Sequence, residues 1–590
     1  MEQNGADLGA GGVIWNLADL YTGTDDPAID QDIAWCRETA GSLAKRYRGR
    51  VGRLPAEELL ALIREKEAVE QRLARLGAFA FLSFTTRVAD AAVSALLQKV
   101  EEVAAGIGRE LVFFRLEWNR LAAEEAARLL DEDLLAGYRH YLQVLRSFAP
   151  HQLSQREEEL LQELAPVGRS AWNVLFEKLM GMMTFGRDRR TEEEVLSDLH
   201  HADRQVRRQA ARDLTEGLRA HLHIITHIFN TLAAEKMIDD RIRRFPSWIS
   251  SMNLENQLRD NVVETLVRAV TSRYDLVQKY YVLKRDLLGL ETLYDYDRYA
   301  PLAGLPDTRV SWRQAREIVL AGFHAFSPEL AEIAERFFSE GWIHAPVQEG
   351  KRGGAFAHPC VPDVHPYIMV NYTGTLRDVS TLAHELGHGV HQFLAAEQGY
   401  YNSDTPLVLA ETASVFAELL VFRNQLQLID DPQARQAFVC QKLESIFATV
   451  FRQVAMNRFE DGMHNQRRSQ GELSAETLSR IWLASQKAMF GDSVELREDY
   501  GIWWAYIPHF LGTPGYVYSY AFGELLVLAL YARYMEEGEK FVPRYRALLA
   551  AGGSGSPAQL LQPFGIDLED PDFWHGGLAV IEEMLADCFS

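Results

Sequence analysis

Thr381-Leu-Ala-His384-Glu385-Leu-Gly-His388-Gly389 is the stretch on which the reading of this chain turns. Four residues are slightly more than one helical turn, so on a helix His384 and His388 project from the same face. Two imidazoles at that spacing can share one metal ion, each at about 2.0–2.1 Å. Glu385 follows the first histidine, so its carboxylate can reach a water on that ion without being a ligand. This is the histidine–glutamate–x–x–histidine arrangement, in which the glutamate is the general base of metal-dependent peptide hydrolysis.

The flanks agree with a helix. Thr375-Leu-Arg-Asp378 places a threonine N-cap three residues before an acid, and Gln398-Gly399 supplies a stop. Upstream, Ala355-Phe-Ala-His358-Pro-Cys360 and His365-Pro-Tyr-Ile-Met-Val-Asn-Tyr372 are β-branched, aromatic and proline-broken, which predicts a small sheet. Residues 368–374 are expected to be an edge strand able to pair with a peptide backbone. His358, Cys360 and His365 lie near one another in sequence, but their prolines and irregular spacing favour a loop or substrate-channel role over a second metal site.

A catalytic zinc commonly has three protein ligands and one open position. A second helix is expected from Leu407, with Glu411 among Leu409, Ala410 and Ala413. An acid in such surroundings needs a partner, and the metal is the economical one. Glu418, two turns on, is placed either in a salt bridge or against a ligating imidazole. His391 is a turn too far along the axis to share the ion. Position 394 is leucine, which excludes the longer three-histidine motif.

Around this centre the chain reads as helical. At 590 residues it exceeds one core, and two lobes are expected, 1–190 and 191–590, with the motif in the second. Pro55-Ala-Glu-Glu opens a helix whose apolar face is expected at Leu59, Leu60, Ile63, Ala68, Leu73 and Leu76. Residues 90–122, 151–164 and 195–290 follow the same period. Residues 155–164 and the arginines Arg204, Arg207, Arg208 and Arg212 are expected on solvated faces. Met180 to Arg187 breaks the pattern as a short strand or loop.

Composition narrows the function classes. Hydrophobic residues make 47% and charged residues 24%, as in ordinary soluble domains, and the formal charge is −22. That balance argues against nucleic acid or an anionic membrane as partner. No apolar run reaches 18 residues, no signal-like segment opens the chain, and four scattered cysteines suggest reduced thiols in the cytoplasm.

The stretch Asn371-Tyr-Thr-Gly-Thr-Leu-Arg-Asp-Val-Ser-Thr-Leu-Ala-His-Glu-Leu-Gly-His, with Glu411-Thr-Ala-Ser and the opening Trp15-Asn-Leu-Ala-Asp-Leu-Tyr, resembles the oligoendopeptidase F branch of the thimet oligopeptidase and neurolysin metallopeptidases. The resemblance implies a mainly α, two-lobed helical ellipsoid, with a small sheet beside the zinc-binding helix and a deep channel that admits short peptides. It implies one Zn2+ per chain on His384, His388 and Glu411, with Glu385 as general base; cobalt or manganese could replace the zinc.

Residues 503–524 carry His509, Tyr516, Tyr518 and Tyr520 around two glycines. A peptidase needs donors for the developing oxyanion, and histidine and tyrosine serve. If a helix begins after Gly515, Tyr516 and Tyr520 share a face and Tyr518 points away; if the segment is extended, all three share one side. The resemblance favours His509, then Tyr520 and Tyr516. The expected partners are short peptides, with the chain a monomer or simple homo-oligomer. A carboxypeptidase or dipeptidase on the same scaffold, and a non-catalytic zinc-containing peptide-binding protein, are the alternatives.

Overall fold

The computed structural model describes residues 8–304, 309–427 and 429–589. It is predominantly helical, with one three-stranded sheet. The chain divides into two compact units: Met1–Gln152, Asp307–Leu428 and Arg533–Ile566 form the first, and Leu153–Pro306, Ile429–Ala532 and Asp567–Ser590 the second. Residue 190, where the sequence suggested a boundary, lies inside the second unit, because helices on both sides of it share one core. Phe176 and Met180 before it pack with Leu214 and Phe229 after it. The pattern break is a single bridge, Phe185 to Arg190, followed by a helix capped by Thr191 and Glu194.

In the first unit, helix Ala56–Thr86 starts after Pro55 with Glu57 and Glu58 in its first turn, as its sequence predicts. Leu59, Leu60, Ile63 and Leu76 are buried, but Ala68 is exposed and Leu73 only half-buried. Val69 takes the buried place, because the 3.6-residue period carries the stripe through Leu62, Lys66 and Val69. Lys66 is tolerated there because its ammonium meets Glu70 at 2.7 Å and the Tyr401 hydroxyl at 3.0 Å.

The sheet comprises β1 (Ile343–His344), β2 (Phe356–His358) and β3 (Tyr367–Met369), in the order β1-β3-β2. β3 runs parallel to β1 and antiparallel to β2, pairing Ile368 with Ile343 and with Ala357. The expectation of an edge strand at 368–374 is therefore corrected. The N–H groups of Ile368, Val370 and Tyr372 are spent on the carbonyls of Trp342, His344 and Ala345 at 2.9–3.0 Å. The edge is β2. Its approach is fixed by Asn371, whose side-chain amide donates to the carbonyls of Arg352 and Gly354 at 3.0 and 2.8 Å.

The motif helix spans Leu376–Ala395, and Thr375 and Asp378 form the reciprocal cap. It ends in a 3-10 turn and Gly399 at φ +76°. Helix Leu407–Gln427 packs against it closely. A Cβ at Gly387 would stand 2.5 Å from the Ala413 carbonyl oxygen, so the glycine inside the motif sets the approach.

In the second unit, helix Arg204–Arg243 runs beside a core rich in aromatic rings, among them Phe229, Phe459, Trp503, Trp504 and Phe510. Arg208 and Arg212 are exposed as expected, but Arg207 is buried against Asp297 at 2.8 Å. Glu158, expected on a solvated face, is buried and bonded to Arg243 at 2.8 Å. Both pairs exist because a helix 40 residues long meets neighbours on more sides than a surface helix would. Among the described residues no helix is long and apolar enough to cross a membrane. Cys36, Cys360, Cys440 and Cys588 are all free thiols.

Candidate active site

The two helices of the first unit bring His384, His388 and Glu411 together. Their ligand atoms lie within 4.8 Å of one another, the one such group of three among the described residues. Glu411 Oε2 is 3.4 Å from His384 Nε2 and 3.5 Å from His388 Nε2. Ligand atoms on a tetrahedral ion with bonds near 2.0–2.1 Å stand about 3.4 Å apart, so the donor set has the spacing of a zinc site.

Two of the three donors are held from behind by side chains. His384 Nδ1 meets Glu418 Oε1 at 2.6 Å, which leaves Nε2 as the atom facing the other ligands. Of the two roles open to Glu418, the structure shows the contact with the imidazole. The Ser414 hydroxyl donates to Glu411 Oε2 at 2.7 Å and fixes the carboxylate. Burial pushes His388 down to about 4, so its ring is neutral. Burial also pushes His384 down, but the Glu418 bond and the charges of Glu418, Glu411 and Glu385 outweigh it and raise the ring to about 9.

Glu385 is 6% exposed. Burial raises its carboxyl to about 7; Glu411 and Glu418 push the same way, while His384 and the Ala357 N–H pull back. A carboxyl poised near neutrality is suited to taking and giving a proton. Ala357 belongs to β2, so that strand touches Glu385 through its backbone. His391 is buried, its Nε2 has no partner, and it stands outside the three-residue cluster. His358, Cys360 and His365 do not gather: the Cys360 N–H donates to His358 Nδ1, while His365 stacks on Trp342 at 4.0 Å and reaches Asp19 at 3.1 Å.

The second unit assembles the downstream segment. Helix Tyr518–Glu537 begins just past Gly515, so the helical alternative holds. The Tyr516 and Tyr520 hydroxyls lie 2.9 Å apart, and the Tyr516 ring lies parallel to His509 with centroids 5.6 Å apart. Tyr518 points away, fully buried, and receives a hydrogen bond from Asn256 at 3.0 Å. Burial lowers His509 and raises Tyr516, so these groups stay a neutral ring and a phenol.

With this geometry in view, the family comparison is decisive. The model of Peptidase family M3 matches residues 198–580. The chain belongs to peptidase family M3. A second family, described as Oligopeptidase F, matches residues 117–185. The chain is 25% identical to Oligopeptidase PepF of Bacillus subtilis (strain 168), over 97% of this chain and 86% of that protein. It is 27% identical to Group B oligopeptidase PepB of Streptococcus agalactiae, over 90% of each. The solved oligoendopeptidase-F of Enterococcus faecium shares the fold with a TM-score of 0.73 at 22% identity, covering 95% of this chain and 98% of that one. This M3 peptidase is a metalloendopeptidase.

Three supporting groups of the M3 peptidase were not anticipated from sequence. Ser414 was readable, since a serine three residues after Glu411 faces it across one turn. The Ala357 N–H was not, because a backbone donor carries no side-chain signal. Nor was Glu460, wholly buried, whose carboxyl oxygen accepts the Gly515 N–H at 2.8 Å and so anchors the loop before Tyr516 from 55 residues upstream.

Proposed function

We propose that this chain is a zinc-dependent endopeptidase that hydrolyses internal bonds of short oligopeptides in an enclosed channel, with Glu385 moving the proton. The observation that supports it most directly is the cluster of His384, His388 and Glu411 at zinc-ligand spacing, with buried Glu385 next in the chain. A zinc ion held by those three would supply Lewis acidity to the scissile carbonyl and to the attacking water. Glu385 takes the proton from that water on a carboxylate oxygen and passes it to the leaving amide nitrogen. Glu418 and Ser414 keep His384 and Glu411 oriented throughout. His509, Tyr520 and Tyr516 are the proposed donors to the charge that develops on the carbonyl oxygen.

The outer side of β2 is the proposed rail for an extended substrate, since pairing to backbone reads little of the side chains and gives broad specificity. Restriction to short peptides rests on family membership. The decisive experiment is Glu385→Gln. Zinc should stay near one per chain while kcat falls by roughly 10²–10⁴-fold. Full activity in that variant would overturn the mechanism. Cleavage of a peptide blocked at both ends separates endopeptidase action from strict exopeptidase action.

A further inference from the structure

In the second unit, buried Arg298 and half-buried Arg452 have no carboxylate partner among the described residues. Arg298 is 4% exposed; its Nε donates to the Asp295 carbonyl at 2.9 Å, and its charge lies 5.0–5.1 Å from the rings of Tyr299, Phe490 and Tyr500. The Asp295 carboxylate is already taken by Arg497 at 2.7 Å. Arg452, at the start of helix Phe451–Gln470, donates Nη1 to the Tyr299 hydroxyl at 3.1 Å, and its buried Nε has no partner. Two positive charges therefore flank one phenol. A charge held in partly desolvated surroundings without a counter-charge is costly, and a carboxylate supplied by a ligand relieves that cost.

Tyr299 does not settle the balance. Arg298 and Arg452 overcome burial and bring its hydroxyl down to about 8, so near neutral pH it remains mostly a phenol. Arg452 and Tyr299 are half-buried, with part of each side chain open to solvent, as are Tyr506 and His509. The Arg452 charge is close enough to contribute to lowering His509. The Arg452 guanidinium thus acts electrostatically on the histidine proposed above to meet substrate.

We propose that Arg452, supported by Tyr299, is a subsite for a substrate carboxylate, and that its natural occupant is the free C-terminus of the peptide. A planar guanidinium with unspent N–H donors matches a carboxylate in charge and shape. Such a subsite would favour peptides whose C-terminus reaches it while bond cleavage stays internal. It rests on the functional reading above, and the two are separable by experiment.

N-acetylated octapeptides of one sequence, ending in a free carboxylate or a carboxamide, are titrated by fluorescence onto zinc-loaded Glu385→Gln protein, where no turnover intervenes. The acid should bind about tenfold tighter than the amide, the size expected of a charge-assisted hydrogen bond. Arg452→Gln in the same background should bring the ratio near one, and Arg452→Lys should keep part of it. Equal affinity for acid and amide without the second substitution overturns the proposal, and that arm needs no folded Arg452 variant. A preference that persists in folded Arg452→Gln protein overturns it too. A preference shown only by amidated peptides with an internal glutamate, and lost with Arg452, overturns the C-terminal assignment in favour of an acidic side chain. Failure of the wild-type protein to cleave any of these peptides counts against the functional reading, while the binding ratio still decides the subsite.

Discussion

The two units solve opposite problems with similar residues. In the first, charge is concentrated and each charged group is held: His384 by Glu418, Glu411 by Ser414, and Glu385 by a backbone N–H. In the second, His509, Tyr516 and Tyr520 are neutral polar groups, and their order comes from buried contacts behind them, Glu460 under Gly515 and Asn256 under Tyr518. The first arrangement is built within 62 residues of sequence, from 357 to 418. The second draws on residues from 256 to 520. A metal site needs few atoms at short, rigid spacing, which two helices in contact deliver. The donor wall proposed above needs shape and position, which a whole core delivers.

The contrast breaks most visibly at Glu385, where the glutamine variant described above should lose the most activity and keep its zinc. Next, Tyr520→Phe should lower kcat by roughly 10²-fold with the metal undisturbed, as for removal of one oxyanion donor; metal analysis beside steady-state kinetics checks both halves. Glu418→Ala should do the reverse. It removes the partner of His384 Nδ1, so zinc affinity measured by chelator competition should fall about 10–100-fold. If the tyrosine variant loses metal, or the Glu418 variant holds zinc as tightly as wild type, the division of labour is wrong.

Smaller effects sharpen the second region. Glu460→Leu removes the acceptor of the Gly515 N–H and should cost roughly tenfold in kcat, whereas Glu460→Gln, which keeps an acceptor oxygen, should restore most of it. A pH series gives the finest test. Burial raises Glu460 to about 8 from an ordinary 4.5, so between these values the folded protein holds a proton that the unfolded chain releases. Stability contributed at this position therefore falls as pH rises from about 4.5 to about 8 and is level above that. Glu460→Gln cannot titrate, so its melting temperature relative to wild type should climb over that window. A constant difference across the window would show that Glu460 is ionised in the fold.

How much was legible follows the same contrast. The motif helix, its threonine cap, its glycine stop and the helix carrying Glu411 could be read because each signal lies within a few residues of the structure it makes. The helical reading of residues 516–520 was one of two open possibilities. The errors fell where a partner is distant. Arg207 and Glu158 looked solvated because their partners, Asp297 and Arg243, lie far along the chain. Residues 368–374 looked like an edge because nothing in their composition says that strands from 343 and 356 flank them. The boundary at 190 marked a local break in helix pattern, not a break in the core.

By itself, the sequence determined the chemistry of the first region. Helical periodicity places His384 and His388 on one face, and Glu385, next in the chain, is the acid proposed above to move the proton. Only the tertiary structure decided that Glu411 arrives at 3.4–3.5 Å, that β2 is an edge strand and that Arg452 has no carboxylate partner among the described residues. The physical reason is range. Backbone periodicity and capping act over one or two turns, whereas burial, strand order and charge balance are properties of the whole packed chain.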